Sequence, residues 1–356
     1  MTPHSYLTLL AFAEAVFRRI GCPPPDAAQA AEALLAADLR GVDSHGVARL
    51  SGYVRLWEAG RINPTPTLRI THETPSTAVV DGDGGLGLVV GPWAMDVARR
   101  KAAAVGTGWV SVRNSNHFGI AGYHAMRALP DGQIGVAMTN ASPLVAPTRA
   151  LKRLLGTNPI AVAIPAGEEP PFVADLATTT AANGKLEILQ RKGLDAPLDW
   201  LQDAAGQPTA DAHGVAKGGA LRPLGGDTAS HKGYALGAVV DIFSAVLSGA
   251  NYGPWVPPFV AFLAPPPDPV GAGLGHFFGA MRVDAFRPAA EFGAAMDHWI
   301  RTFRAAPSRH PHEPVLIPGD PERAAETHRR AHGIPLLPPV EADLAALAAR
   351  LGVAWE

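Results

Sequence analysis

Short apolar segments alternate with helical patterns between residues 77 and 174, and no other feature limits the fold of this chain as strongly. Short apolar runs predict strands, and apolar residues spaced three and four apart predict the helices between them. Such alternation favours an α/β fold, in which helices cover a sheet. The predicted strands are 77–81, 108–112, 134–138, 160–164 and 172–174, and the predicted helices are 91–104 and 121–129.

Helical patterns also occupy both ends of the chain. The predicted helices there are 5–20, 26–39, a third from about His45, 289–305, 321–331 and 340–351. Because the two helical ends could pack together, the sheet region would be an insertion between them. We therefore expect a helical domain built from residues 1–75 and 288–356, and a sheet-containing domain over residues 76–287.

The most apolar later segment, Tyr234–Ala250, predicts a buried helix rather than a membrane span, because it is short and contains Asp241. The apolar side of this helix, over residues 233–248, consists of Leu236, Val239, Val240, Phe243 and Leu247. The next stretch, 254–275, is rich in Pro and Gly and predicts irregular backbone away from the functional motifs.

Hydrophobic residues make up 47% of the chain, which is ample for a large core, and the formal net charge is -2. This charge gives no electrostatic reason to expect a nucleic acid or an anionic membrane as a partner. The single Cys22 excludes an internal disulfide and a cysteine metal cluster. Leu7–Ile20 contains Glu14 and lacks a basic start, so no signal peptide is predicted. We expect a cytoplasmic protein.

The segment Asp43–Leu50 predicts a site for a carboxylate. Ser44 stands where the third helix should begin, and a helix N-terminus offers free N–H groups and a positive dipole end. His45, Arg49 and Tyr53 have the spacing of one helix face. The guanidinium of Arg49 can hold a carboxylate with two hydrogen bonds. The alternative is a simple N-cap beside a solvated arginine.

The segment Asn114–Gly119 follows the predicted strand 108–112 and contains His117. In open α/β sheets, ligands bind beyond the carboxyl ends of the strands. Reduction of a carbonyl by a hydride creates an alkoxide, and a histidine near its usual pKa can supply the proton and take it back. His117 is therefore a candidate acid–base residue. The alternative is a hydrogen-bonded structural histidine in a turn.

Polar clusters beside other apolar runs are candidates for the rim of a cofactor site. Thr139–Ser142 and Asp175–Thr178 follow such runs, whereas Gly156–Pro159 precedes its strand and is also typical of a turn. Lys232 stands at the start of helix 233–248, where its charge opposes the helix dipole. A bound phosphate or carboxylate would relieve that conflict; the alternative is a simple exposed lysine.

Two further patterns indicate alternatives. Gly82–Gly87 has the glycine spacing of a dinucleotide-binding loop, but Arg113 and Asn114 replace the acidic residue expected after the next strand. A Rossmann site for NADP is thus an alternative to a plain glycine turn. His328 and His332 have i, i+4 spacing without the glutamate of a zinc protease. The sequence predicts no metal site, and a metal-dependent hydrolase is a rival class only because the chain has 13 histidines.

Several segments together resemble the malate/L-lactate dehydrogenase family, which is distinct from the classical lactate and malate dehydrogenases. They follow the family's order over nearly the whole chain. They are Asp38–Gly46, Asn114–Gly119, Ala121–Tyr123, Gly156–Pro159, Pro223–Gly226, Lys232–Tyr234, Leu247–Ala250 and Pro318–Asp320. One departure is Thr148–Ala150, which stands where the family often carries a glycine pair.

The resemblance implies a mixed, non-Rossmann sheet, an NAD or NADP cofactor, and a homodimer with its site near the subunit interface. The helical domain would then serve substrate binding and dimerisation, and the sheet domain would bind the cofactor. The implied activity is hydride transfer between NAD(P) and a small 2-hydroxy or 2-oxo carboxylic acid. The alternatives are an NADPH-dependent reductase of a cyclic imino acid and a non-catalytic NAD(P)-binding protein of the same fold.

The resemblance also implies roles for single residues. His117 would be the proton donor and acceptor, Arg49 would hold the substrate carboxylate, and Ser44 and His45 would line the site. Gly82–Gly87 would be a structural turn. The residues implied at the cofactor are Ser142, Asp175, Leu176, Ala177, Thr178, Lys232, Pro318, Gly319 and Asp320.

Overall fold

The computed structural model describes residues 2–310 and 312–355, which form a mixed α/β fold. The helices are α1 (Tyr6–Arg19), α2 (Pro24–Leu39), α3 (Leu50–Glu58), α4 (Gly87–Val105), α5 (Ala121–Met126), α6 (Asn183–Lys192), α7 (Gly226–Asp241), α8 (Ala289–Arg304), α9 (Asp320–His332) and α10 (Pro338–Leu351). The strands are β1 (Thr2–His4), β2 (Arg69–Glu73), β3 (Thr77–Asp81), β4 (Thr107–Ser115), β5 (Gln133–Thr139), β6 (Ile160–Ile164), β7 (Phe172–Leu176), β8 (Leu201–Gln202), β9 (Ala220–Leu221), β10 (Leu274–Arg282) and β11 (Ile334–Leu336). No helix in the described ranges combines the length and apolar character needed to cross a bilayer.

Seven strands form the central sheet in the order β2-β3-β4-β10-β5-β6-β7. β3 and β4 are parallel, whereas every other neighbouring pair is antiparallel. The parallel pair is joined by α4, since parallel neighbours need a crossover connection. The predicted α/β fold with a mixed, non-Rossmann sheet is confirmed.

All five predicted strands belong to this sheet, but the sequence pattern does not predict its central strand, β10. The ring of Phe277 lies 5.1 Å from that of Phe243 on one face of β10. The next residue, Phe278, is fully buried in the core that contains Ala94 and Met95 of α4. A strand covered on both faces lacks the apolar–polar alternation by which strands are recognised.

The two ends of the chain meet in space. β1 and β11 form an antiparallel pair, and one buried core joins Leu9 of α1, Leu34 of α2, Leu50 of α3 and Leu344 of α10. α8 does not contribute to this core. It packs instead beside the loop after β6, where its Asp297 carboxylate accepts hydrogen bonds from the backbone N–H groups of residues 167–169. The division into domains 1–75 with 288–356 and 76–287 stays a prediction.

The glycine loop Gly82–Gly87 is a turn between β3 and α4, and the alternative of a Rossmann phosphate loop is wrong. The N–H groups of Gly82 and Gly84 donate to the carbonyls of Arg113 and Asn114, at 2.9 and 2.8 Å. These donors are therefore used within the fold. α4 begins at Gly87, earlier than predicted.

The prediction of a buried helix over 233–248 is wrong in its bounds and in its burial. α7 runs from Gly226 to Asp241, and a π-helical turn follows over Ile242–Val246. Val240 is buried, but four of the five residues expected on the apolar side are 40–59% exposed: Leu236, Val239, Phe243 and Leu247. This single chain thus presents an apolar surface to solvent, which we call the α7 face and define as residues 234–247.

Candidate active site

His117 lies in the turn that follows β4, beyond the carboxyl end of that strand. The side-chain amide of the preceding residue, Asn116, donates to the carbonyls of Arg61, Gly84 and Gly85 at 3.2, 2.8 and 3.1 Å. The glycine loop thus holds the turn that carries His117. The sequence pattern had placed the residue at this end of the strand, and the structure agrees.

Three aromatic or imidazole rings surround His117. Its Nδ1 lies 2.6 Å from the hydroxyl oxygen of Tyr53, and its ring centroid lies 4.6 Å from that of Phe259. The ring of His45 stacks against it at 5.8 Å. Burial lowers the pKa of His117 well below its usual value, and the positive charges of His45 and Arg49 lower it further. The free chain therefore holds a neutral imidazole at neutral pH.

The segment that carries Ser44, His45 and Arg49 is a turn followed by a single 3-10 turn over Val47–Arg49, and α3 begins only at Leu50. The expectation that Ser44 begins a helix is therefore wrong. The physical reason is Asp38, whose buried carboxylate accepts the N–H of Val47 at 2.7 Å.

Ser44 instead contacts its neighbour, with its hydroxyl 2.8 Å from Nδ1 of His45. Gly46 packs directly on the Asp38 carboxyl group, where any Cβ would overlap it. This contact makes glycine necessary in the turn. The segment at Ser44 is not itself a helix N-terminus, so an acid bound to this segment would be held by one of its side chains.

Arg49 is the side chain that can do so. Its Nε donates to the carbonyl of Ser44 at 2.6 Å, and its guanidinium lies 5.9 Å from the ring centroid of Phe259. Its Nη1 lies 2.9 Å from a carboxylate oxygen of Glu187 on α6. Phe259 therefore contacts both Arg49 and His117, so the guanidinium and the imidazole pack against the same ring.

Two separate cavities lie beside these residues. The first, here named the Asp175 cavity, has a volume of about 550 Å³ and is lined by Ser44, His45 and Asp175, among others. The second, here named the Arg49 cavity, has a volume of about 320 Å³ and is lined by Arg49, Arg55, Glu187, His213 and Phe259, among others. A wider cleft of about 690 Å³ elsewhere contains none of these residues.

Helix α6 lies between the two cavities. Lys185 and Ile188 line the Asp175 cavity, whereas Asn183 and Glu187 line the Arg49 cavity. The backbone of Gly184 is packed so closely on Ser44 and Arg49 that a side chain would overlap them.

The Asp175 cavity fits a nicotinamide cofactor. One carboxylate oxygen of Asp175 accepts the N–H of Gly122 at 2.7 Å, and the side chain is open to the cavity. The surrounding walls desolvate the carboxyl group and raise its pKa to about 6. An acidic acceptor suits the hydroxyl groups of a ribose, and the volume lies in the range of small-ligand sites. Lys185 adds a cation at the wall.

A family model described as malate/L-lactate dehydrogenase matches residues 5–345. The chain belongs to the malate/L-lactate dehydrogenase family. The malate dehydrogenase of Pyrococcus horikoshii is 41% identical over 97% of this chain and 94% of its own length. Its solved structure has a TM-score of 0.90 at 38% identity, covering 100% of this chain and 97% of that chain.

Two further relatives show the range of the family. The L-sulfolactate dehydrogenase of Methanocaldococcus jannaschii is 37% identical over 88% of this chain and 88% of its own length. A pyrroline-2-carboxylate/piperideine-2-carboxylate reductase of Pseudomonas putida is 33% identical over 69% of this chain and 71% of its own length. This member of the malate/L-lactate dehydrogenase family is an oxidoreductase that transfers a hydride between a nicotinamide cofactor and a small hydroxy acid, as the sequence predicted.

The structure brings together some, but not all, of the residues that the family resemblance implied. Ser44, His45, Asp175, Leu176 and Ala177 line one cavity, with His117 stacked behind His45. Arg49 lines the neighbouring cavity. These positions are structural findings, whereas the catalytic roles stay predictions.

The other implied cofactor residues do not line the Asp175 cavity of the single chain. The Ser142 hydroxyl accepts the N–H of Phe259 at 2.9 Å, and the Thr178 hydroxyl donates to the carbonyl of Thr157 at 3.1 Å. Lys232 is exposed inside α7, beyond the kink at Ala229. In the segment Pro318, Gly319 and Asp320, the Pro318 carbonyl accepts the N–H of Val173, and the Asp320 carboxylate pairs with Arg304 and Arg323. Their contacts with a cofactor stay predictions.

Two contact residues were missed by the sequence analysis. Phe259 lies in the Pro-rich stretch 254–275, which was expected to lie away from the motifs and instead contacts His117 and Arg49. No local signal marks this residue, because its position depends on long-range packing. Glu187 is the second; its spacing of four from Asn183, to which it is hydrogen-bonded, indicates only a polar helix face.

The rival class of metal-dependent hydrolase is wrong for a member of this dehydrogenase family. Within residues 2–310 and 312–355, no group of three or more His, Cys, Asp or Glu side chains is placed to hold a metal ion. His328 and His332 stack on the exposed side of α9, with ring centroids 4.4 Å apart.

Proposed function

We propose that this chain catalyses the reversible oxidation of a dianionic 2-hydroxy acid of the malate type to its 2-oxo acid, with NAD or NADP as cofactor. The observation that carries the proposal is the shared contact of Arg49 and His117 with Phe259. Contact with the same ring supports pairing Arg49, as the carboxylate-binding group, with His117, as the acid–base group. A second guanidinium, that of Arg55, lines the Arg49 cavity and offers a partner for a second acidic group. The malate and sulfolactate dehydrogenases among the relatives act on acids with two anionic groups.

In the proposed mechanism, Arg49 holds the carboxylate and orients the carbon that reacts. The carbonyl carbon receives a hydride, which the nicotinamide supplies when bound. Nε2 of His117 gives its proton to the carbonyl oxygen as the C–H bond forms, and in the reverse direction it takes that proton from the hydroxyl group. Ser44 and His45 close the site on the side of the Asp175 cavity.

We assign the cofactor to the Asp175 cavity, with Asp175 as the acceptor for ribose hydroxyl groups and Leu176 and Ala177 beside it. The implied contacts from Ser142, Thr178, Lys232 and 318–320 would complete this site. Comparing turnover with NADH and with NADPH distinguishes NAD from NADP as the cofactor. The single buried Cys22 supports a cytoplasmic location.

We also propose that the chain forms a homodimer through the α7 face. Tyr234, Leu236, Val239, Ile242 and Leu247 are each 39–59% exposed on this surface. A contiguous apolar surface of this kind marks an interface, because water contact with it is unfavourable. A second copy of the chain would cover this exposed surface.

A cyclic imino acid reductase is the second candidate, favoured by the Pseudomonas putida relative. Arg49 would hold the ring carboxylate, and His117 would protonate the nitrogen in place of an oxygen.

The deciding experiment is a spectrophotometric screen of 2-oxo acids and cyclic imines with NADH and with NADPH. We expect turnover with a four-carbon dicarboxylic 2-oxo acid, and a turnover higher with cyclic imines would favour the second candidate. His117→Ala should lower turnover roughly 10²–10⁴-fold. Arg49→Lys should mainly raise the KM of the acid, because lysine lacks the bidentate fork. Unchanged kinetics in both variants would contradict the proposed site.

A further inference from the structure

The buried hydroxyl group of Tyr53 is the direct partner of the proposed acid–base residue. Its oxygen lies 2.6 Å from Nδ1 of His117, and the whole residue is 0% exposed. The phenol ring is held edge-on by Phe17 and Phe259, at centroid distances of 6.1 and 5.2 Å. A ring fixed on two sides keeps its hydroxyl group in one place, so the contact with His117 is preorganised.

In the part of the chain that the structure describes, Nδ1 of His117 has one other hydrogen-bond neighbour, the backbone N–H of Gly119 at 3.3 Å. This N–H group can only donate, whereas a tyrosine hydroxyl can donate or accept. When Nδ1 is unprotonated, both neighbours can donate to it. When Nδ1 carries a proton, Tyr53 is the group within reach that can accept.

Nε2, the other ring nitrogen of His117, has no hydrogen-bond partner among residues 2–310 and 312–355. Nε2 is also not one of the buried side-chain atoms that lack a partner in this part of the chain, so it is not completely enclosed by protein. Nε2 is thus the ring nitrogen that keeps no internal partner among these residues and is not fully enclosed. A proton can reach or leave a substrate oxygen at this atom.

We propose that Tyr53 is a positioning residue for the acid–base step: its hydroxyl accepts the hydrogen bond from Nδ1–H and thereby assigns proton exchange to Nε2. In reduction, the substrate carbon gains the hydride, the oxygen gains the Nε2 proton, and His117 is left neutral with its remaining proton on Nδ1. Tyr53 stabilises both the imidazolium and this neutral tautomer. The proposal rests on the proposed role of His117.

Tyr53 does not itself exchange the proton. Tyr53 is 0% exposed, whereas His117 is partly exposed, so of the two only His117 can meet a substrate. Burial raises the pKa of Tyr53 above the usual value, so the hydroxyl stays neutral. The charged or titratable groups around His117 are His45, Arg49, His276 and His124, and all four disfavour a positive charge on it. Among residues 2–310 and 312–355, Tyr53 is the one side chain hydrogen-bonded to Nδ1, and its hydroxyl oxygen can accept a hydrogen bond from Nδ1–H.

The test is Tyr53→Phe, which removes the hydroxyl group and keeps the packed ring. We expect kcat to fall about 10- to 100-fold in both directions, with the KM of the reduced cofactor unchanged. The acid limb of the oxidation profile should move to lower pH, because the imidazolium loses a hydrogen bond. Nitrogen NMR of the free chain with labelled histidine should show a smaller fraction of the His117 tautomer that is protonated at Nδ1.

The matched control is Tyr123→Phe. The Tyr123 hydroxyl is also buried, with hydrogen bonds to Gln29 at 2.8 Å and Glu32 at 3.2 Å, but it does not contact His117. If Tyr53→Phe matches this control in kcat, in pH profile and in the His117 nitrogen shifts, the positioning role is wrong. Full turnover in His117→Ala would overturn the proposed function as well as the role of Tyr53. If His117→Ala is inactive but Tyr53→Phe is normal, only the positioning role of Tyr53 is wrong.

Discussion

The guanidinium of Arg49 and the carboxylate of Glu187 lie 2.9 Å apart in the wall of the Arg49 cavity. Glu187 is held in turn by the side-chain amide of Asn183 at 2.9 Å. The Nε of Arg49 is bonded to the Ser44 carbonyl, so Glu187 occupies an edge of the fork that a substrate carboxylate needs. In the free chain, an internal carboxylate thus stands where the substrate carboxylate is proposed to bind.

Glu187→Gln should therefore lower the KM of the 2-oxo acid. The glutamine keeps the hydrogen bond to Arg49 but loses the charge that competes for it, and a partly exposed ion pair of this kind corresponds to about two- to fivefold. Steady-state kinetics with the acid varied at saturating cofactor would measure the change. Glu169→Gln is the control, because Glu169 pairs with Arg301 and Arg304 and lines neither cavity. A raised KM in Glu187→Gln would instead mean that Glu187 orients Arg49 for binding.

The pH dependence should differ between the two directions. Oxidation needs neutral His117, whose pKa is lowered by burial and by the charges of His45 and Arg49. Its kcat/KM should stay level down to below pH 6.5 and then fall, while reduction, which needs the protonated form, should fall as pH rises. A carboxylate bound to Arg49 offsets the positive charge, so the pKa seen in kcat should exceed that in kcat/KM. Equal pKa values in the two profiles would argue against a substrate carboxylate beside His117.

The local sequence pattern was sufficient to predict those elements whose structure depends on neighbouring residues. The strands β3 and β6 and the place of His117 after β4 follow from short segments and their neighbours. The turn at Ser44 does not, because the carboxylate that shapes it, that of Asp38, lies on another helix. Phe259 reaches the site only because its segment folds back across the chain. Its contacts with His117 and Arg49 therefore cannot be predicted from spacing in the sequence.

Asp175→Ala should weaken cofactor binding without changing the KM of the acid. The change removes an acceptor that we assign to the ribose, and a lost hydrogen bond to a charged group corresponds to about 10- to 100-fold in Kd. Fluorescence titration with NADH and with NADPH would measure it apart from turnover. Asp131→Ala is a suitable control, since Asp131 pairs with Arg99 away from both cavities. An unchanged Kd for both cofactors would place the ribose elsewhere.

A charge on the α7 face should separate the proposed dimer. Leu247 is 59% exposed in the single chain, and Leu247→Glu would bury a carboxylate in an apolar interface. We expect analytical ultracentrifugation to show a dimer for the natural chain and a monomer for the variant. Leu198, at 61% exposure outside the α7 face, provides the control Leu198→Glu. Two dimeric variants would show that the interface lies on another surface.

Acid should destabilise the fold through His276. Its ring is 0% exposed, with Nδ1 2.7 Å from the Thr139 hydroxyl and Nε2 2.8 Å from the Ser115 hydroxyl. Burial lowers its pKa from 6.5 to about 3, and the charge of His124 adds to this effect. His276 therefore binds a proton in the unfolded chain at a pH where it stays neutral in the folded chain. The stability of the fold falls as the pH drops below 6.5.

Between about pH 7 and about pH 5, this one group should cost about 2 kcal/mol of unfolding free energy. His276→Gln removes the titration, so its stability should fall less with acid than that of the natural chain, by about this amount. Denaturant unfolding at both pH values measures the difference. The exposed His72 provides the control, because His72→Gln should keep the natural dependence. If His276→Gln shows that same dependence, the buried imidazole is already protonated in the folded chain.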